Sequence, residues 1–312
     1  MEAEIMGLEL AANKLANKKK HSKRSSQNGI RAALFLLPTW LLLVIFFFVP
    51  IALTFYYAFT NMSLTGVASA HTEFVGFRNF TSMFSDPSFR ISVINTIIFL
   101  LLSAIVGQQV LGLIIALLMN EKKQWFRSMI GIFVIAGWVT PEIVVAFIWF
   151  AFLNDNGSLD TALGWLGIQP IHWLTSFPMV SVIIANVWHG TAFSMLVYQA
   201  ALGDVPKDIQ EAAKIDGANG WQRLWRITLP MIRGSIVTNM VLITLQTLGL
   251  FTLIYALTGG GPGTATETLP IYMYQAAFSS YQLGYGTAIS LILLLIGIIF
   301  SVGYIKVSKV NL

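Results

Sequence analysis

The chain has 312 residues, of which 56% are hydrophobic and 11% charged, with no cysteine and a formal net charge of +5. A water-soluble domain carries about 25% charged residues, so this composition excludes an ordinary soluble globule and describes an integral membrane protein. The absence of cysteine removes a disulfide framework, thiolate metal sites and thiol redox chemistry.

Residues 1–31 form a basic tail that includes the run KKKHSKR. It reads as a cytoplasmic, topology-fixing segment rather than a nucleic-acid-binding arm. Six apolar runs follow, at Ala32–Phe59, Ile91–Met119, Phe126–Leu153, Met179–Leu202, Gly234–Leu257 and Leu283–Lys306. Each is close to the ~20 residues that cross a bilayer core as helix. The first is longer than the hydrophobic core of a secretory signal and has no small-residue cleavage site after it, so it is expected to stay in the mature protein. Seven basic residues lie in the tail, three between spans two and three, five between spans four and five and two after span six, which leaves Arg78 and Arg90 outside. The positive-inside rule then places both termini in the cytoplasm.

Three external segments remain, at 60–90, 154–178 and 258–282. The first is polar and aromatic enough to form a small interfacial cap. The third contains LTGGGPGTATETLP, whose glycines suggest a phosphate loop. No GK[ST] follows and the segment lies outside, so a flexible turn into span six is expected instead. No internal repeat of sequence supports an inverted-repeat transporter.

Polar residues at membrane depth are costly unless they face a cavity or a partner helix. Span two offers Ser103, Gln108 and Gln109; span four offers Asn186, Trp188, His189 and Gln199; span five offers Asn239, Thr244, Gln246 and Thr247. Amides and hydroxyls in such positions serve more often as glue between helices than as ligands. Glu142 stands apart as a lone carboxylate directly after Pro141, where the proline breaks the helix and frees backbone groups. A carboxylate there argues against an anionic cargo.

Residues 204–230 are too polar to cross and too regular for a loose linker. Asp204 is a candidate N-cap, Pro206 sits near the first turn, Gly217 stops the helix, Asn219 caps a second one, and Pro230 closes it before span five. This cytoplasmic two-helix knuckle exposes apolar side chains on a charged frame. It fits either an amphipathic hairpin on the membrane surface or a plug for a soluble partner. The spacing EAA, three residues, G, nine residues, I-x-LP resembles the EAA loop of the membrane subunits of bacterial ABC importers. VGFRNF, LTGGGPGTATETL and AALGDVPKDIQEAAKIDGA are similar to the corresponding segments of carbohydrate-uptake permeases of the maltose and glycerol-3-phosphate type.

The resemblance implies an all-α integral membrane fold, a type I ABC importer permease with six transmembrane helices in residues 32–312. It implies a bacterial plasma (inner) membrane location and an ATP-driven importer in which this chain forms half of the pore for a sugar or oligosaccharide. Expected partners are a second permease subunit, two ATPase subunits and an extracytoplasmic solute-binding protein, with lipid around the chain and no nucleic acid. The chain has no GxxxxGK[ST], HExxH, nucleophile elbow or metal cluster, so it is not expected to be an enzyme or to bind a metal. ATP and Mg belong to the partner ATPases. By the same resemblance Glu211, Ala212, Ala213, Asp216, Gly217, Ile227, Leu229 and Pro230 couple to the ATPase. Trp138, Glu142, Asn186, His189, Gly190, Phe193, Ile243, Gln246 and Thr247 then bind substrate. The rival readings are a proton-coupled secondary transporter or channel using Glu142 and His189, and a membrane scaffold that docks a soluble domain.

Overall fold

The computed structural model describes residues 35–120 and 122–308; the basic tail lies outside the described residues. The chain divides into a first unit ending at Tyr56 and a second running from Tyr57. The described part of the first is the apolar helix α1 (Phe35–Ala58), which continues two residues past that boundary. The second holds α2 (Arg78–Ser85), α3 (Pro87–Asn120), α4 (Gln124–Val139), α5 (Glu142–Leu153), α6 (Ser158–Trp165) and α7 (Pro178–Gly203). After these come α8 (Lys207–Ile215), α9 (Gly220–Met231), α10 (Arg233–Leu248), α11 (Thr252–Thr258), α12 (Leu269–Tyr274) and α13 (Leu283–Ser308). No strand occurs among the described residues.

Four helices, α1, α3, α7 and α13, are long and apolar enough to cross a membrane alone, and two bent pairs bring the count to six. The third span is broken: the axis from Glu142 to Trp165 turns 102° from that of α4. Pro141 has no N–H to give, and its ring drives the preceding residue out of the helical region. Thr140 accordingly sits at ψ 128°. The fifth span departs from expectation at its end. Its helix begins at Arg233, after a 69° bend from α9, and ends at Leu248 rather than Leu257. A separate short helix, α11, then packs its Leu253, Ile254 and Leu257 against Val145 and Ala146 of α5.

The core of the second unit is the seam between α3 and α7. A Cβ on Gly107 would collide with Val187, and one on Gly112 with Ser194. Small residues here let two membrane helices approach closely, where van der Waals contact and hydrogen bonds replace the missing hydrophobic drive. Polar side chains then bridge the seam. Asn186 Nδ2 donates to Ser103 Oγ at 2.9 Å, Gln108 Nε2 to the Asn186 carbonyl at 3.0 Å, and Tyr198 to Gln109, whose Oε1 also accepts from Asn239 of α10 at 3.0 Å. Ser103, Gln109, Tyr198 and Asn239 therefore act as glue between helices.

The 258–282 segment, expected to lie outside, is ordered, not a flexible turn. Asn95 Nδ2 donates to the carbonyls of Thr264 and Glu267, and the Thr96 hydroxyl accepts from Leu269 N at 2.8 Å, so α3 clamps the strip that holds buried Thr266, Glu267 and Thr268. Burial raises the Glu267 carboxyl above the usual carboxylate range, against a partly offsetting hydrogen bond from Ser92.

Candidate functional site

The break in the third span creates the site. Once Pro141 interrupts the helix, the Thr140 carbonyl loses its intrahelical donor, and His189 of α7 supplies one at 3.1 Å. A carbonyl only accepts, so His189 carries a proton on Nε2. Glu142 becomes the first residue of α5, where the helix dipole favours its negative charge.

Around this break lies a cavity of about 400 Å³. Trp138 and Glu142 reach it from the two halves of the third span, Asn186, His189 and Gly190 from α7, and Gln246 and Thr247 from α10; Gln108 of α3 and Leu250 complete the lining. Four spans thus contribute, and the lining mixes a carboxylate, amides, a hydroxyl, an imidazole and an indole. Such a surface can hydrogen-bond hydroxyl groups, while Trp138, which is 37% exposed, can cover an apolar ring face.

Seven of the nine residues assigned to substrate lie on this cavity, and two do not. Phe193 packs behind it, its ring 5.8 Å from that of Trp138. Ile243 is 1% exposed and sits in a cluster with Leu100, Ala104 and Leu248, so its apolar side chain fills core instead. Gln108, offered by span two but not assigned to substrate, carries a signal in the sequence: with Gln109 it makes two consecutive amides in a mostly apolar span. Leu250 carries none, because its position depends on where α10 ends, at Leu248.

The knuckle forms a second constellation. Asp204 does not cap α8; it closes α7, and the N-cap of α8 is Pro206. The helix ends in a Schellman motif, with Gly217 at φ +81°, its N–H on the Lys214 carbonyl and Ala218 N–H on the Ala213 carbonyl. Asn219 and Gln222 form a reciprocal capping box that starts α9. Gln210 of α8 donates to Thr228 of α9 at 3.0 Å, which fixes the two helices together. Pro230 does not end α9, which runs on to Met231 and bends at Ile232. Glu211, Ala212, Asp216, Gly217 and Pro230 face solvent, Ala213 is buried, and Ile227 and Leu229 are half-buried. Leu229 packs towards Ala116, Tyr198 and Ile232 at the end of the α3–α7 seam. Ile215, 86% exposed, and Trp221, 68% exposed, leave an apolar surface open around the knuckle.

Residues 108–305 match the family described as binding-protein-dependent transport system inner membrane component. The chain is 33% identical over 284 residues to the sulfoquinovosyl glycerol transport system permease protein of Agrobacterium fabrum, covering 89% of this chain and 90% of the relative. It is 33% identical over 282 residues to the trehalose/maltose transport system permease protein of Thermococcus litoralis, covering 88% and 92%. Its fold is similar to a chain in the crystal structure of a bacterial ABC transporter involved in the import of the acidic polysaccharide alginate. The TM-score is 0.79 at 24% identity, with 92% of this chain and 97% of that chain covered.

Proposed function

The chain belongs to the family of binding-protein-dependent transport system inner membrane components, and from that premise we propose that it forms half of the pore of an ATP-driven importer for a sugar or oligosaccharide. The observation that carries the cargo assignment is the cavity at the Pro141 break, where Glu142, Asn186, His189, Gln246 and Thr247 converge with Trp138. Substrate sits there, against the broken third span, and rearrangement of α4, α5 and α11 opens it alternately to either side. The Glu142 carboxylate disfavours an anionic cargo, because like charges would meet in low dielectric. That both permease relatives serve sugar transport supports a carbohydrate.

ATP is hydrolysed in trans by two partner ATPases, with Mg, and a second permease completes the pore. The knuckle at 204–230 docks on an ATPase through Glu211, Ala212, Ala213, Asp216 and Gly217, while Ile227, Leu229 and Pro230 pass its displacement to α10. Leu229, seated at the base of the α3–α7 seam, supports that path. An external binding protein delivers the sugar, and both termini lie in the cytoplasm.

The test is uptake of radiolabelled sugars by proteoliposomes containing this chain with its host's second permease, ATPases and binding protein. Uptake that requires internal ATP and the binding protein is expected. Uptake by this chain alone, driven by a proton gradient and indifferent to ATP, would overturn the reading in favour of a secondary transporter.

A further inference from the structure

Arg233, the first residue of α10, carries a charge that its own chain leaves unanswered. A cation at a helix start opposes the helix dipole, and this side chain is exposed, with no hydrogen bond or ion pair among the described residues. Beside it α10 and α13 leave a groove of about 510 Å³, walled by Ile236, Val237 and Met240 from one helix and Ile299, Phe300 and Gly303 from the other. It shares no lining residue with the membrane-depth cavity at the Pro141 break.

The groove exists because the two helices part. A Cβ on Gly297 of α13 would touch Leu245 and Leu248 of α10 at 3.4 Å, whereas six residues later nothing lies within 4 Å of a Cβ built on Gly303. Seven positions separate Arg233 from Met240, about 10 Å of helix rise. The groove therefore starts at a cation next to the bend at Ile232 and continues as apolar wall along two membrane spans. Arg233 is its one charged lining residue, and the other polar side chain on it, Tyr304, already pairs its hydroxyl with Thr244 at 3.1 Å. Such a groove is complementary to a ligand with an anionic head and an apolar chain. Free phosphate would answer the cation and leave the walls uncovered.

We propose that the groove holds one anionic phospholipid, with its phosphate on Arg233 and one acyl chain laid between α10 and α13 over Gly303. The proposal rests on α10 and α13 being membrane spans and is independent of the cargo. The bound lipid braces α10 at the end where the knuckle joins it.

The probes are phosphatidylglycerol and phosphatidylcholine with a photoactivatable diazirine on one acyl chain. Each is placed in nanodiscs with the chain as purified from its host membrane, together with the subunits it retains, and labelled peptides are mapped by mass spectrometry. The variants are Arg233→Gln, Gly303→Leu and Arg226→Gln, the last removing an exposed charge of α9 that does not line the groove. Leucine is a strong helix former and enters open space at 303, so that variant is compatible with folding. Phosphatidylglycerol is expected to label 236–240 and 299–304 above the phosphatidylcholine level. Arg233→Gln is expected to lower that label about fivefold, and Arg226→Gln to leave it as in wild type. Gly303→Leu is expected to lower it with the charge still in place. Equal labelling by the two probes in wild type, or an equal loss in Arg226→Gln, overturns the site in favour of ordinary surrounding lipid. Labelling that appears only once other subunits are removed overturns it in favour of a protein contact.

Discussion

The carboxamide of Gln108 fills the space that a Cβ on Gly190 would need, so α3 and α7 meet side chain to backbone beside the membrane-depth cavity. Gln108 is held there by its bond to the Asn186 carbonyl. Gly190→Ala must push the amide off that carbonyl or part the helices, and overpacking of this kind costs about 1–3 kcal/mol. Uptake at subsaturating sugar is expected to fall about tenfold or more while the complex still assembles, and Gly190→Ala combined with Gln108→Ala should recover part of the loss. Unchanged uptake in the single variant would remove this contact from the transport path.

Glu142→Gln separates two roles for one carboxylate. As the first residue of α5 it complements the helix dipole, worth about 0.3–1 kcal/mol, and as a ligand it makes a charge-assisted bond to a hydroxyl, worth about 1.5–3 kcal/mol. The ligand role predicts a loss of about tenfold or more in apparent sugar affinity, or a change in the sugars accepted, with the complex intact on purification. A preserved sugar profile with a slightly lower melting temperature would leave only the dipole role.

Much of this architecture was legible because apolar length and charge asymmetry act locally: the span count and the break at Pro141 both follow from single segments. The Gly217 elbow and the Asn219 cap were equally legible, since a turn needing positive φ and a cap needing a side-chain acceptor leave residue-type signatures. Ile243 was not, because which face of α10 turns to the cavity depends on a bend at Ile232 that Pro230 alone does not announce. Nor was the ordering of the glycine-rich 258–269 strip, which comes from Asn95 and Thr96, about 170 positions away in sequence.

Gly217→Val tests the elbow through the backbone alone. Nothing lies within 4 Å of a Cβ built there, so the cost is the left-handed conformation itself, about 1–2 kcal/mol. ATP-dependent uptake and co-purification of the ATPase are expected to fall sharply while membrane insertion stays normal. Gly217→Asn, whose side chain tolerates that conformation, should retain most activity. Equal loss in both variants would locate the defect in the side chain and not in the elbow geometry.

Acidity should tighten the 154–178 segment through His172, whose Nδ1 lies 2.8 Å from Asp155 Oδ1. The hydrogen bond to Asp155, reinforced by that residue's charge, raises the imidazole above its ordinary pKa of 6.5. A base whose folded pKa is raised stabilises the fold fully below its unfolded value, and the contribution disappears as pH rises through the folded one. Both side chains are more than half exposed, so salt should weaken the pair. In wild type, protease cleavage within 154–178 is expected to increase as pH is raised from about 6 to above the folded pKa of His172, and the titration followed by NMR on histidine-labelled protein should lie above the ordinary histidine value. Asp155→Asn should return that titration to the ordinary range and flatten the cleavage profile; a His172 curve unmoved by the substitution would show that the pair does not form in solution.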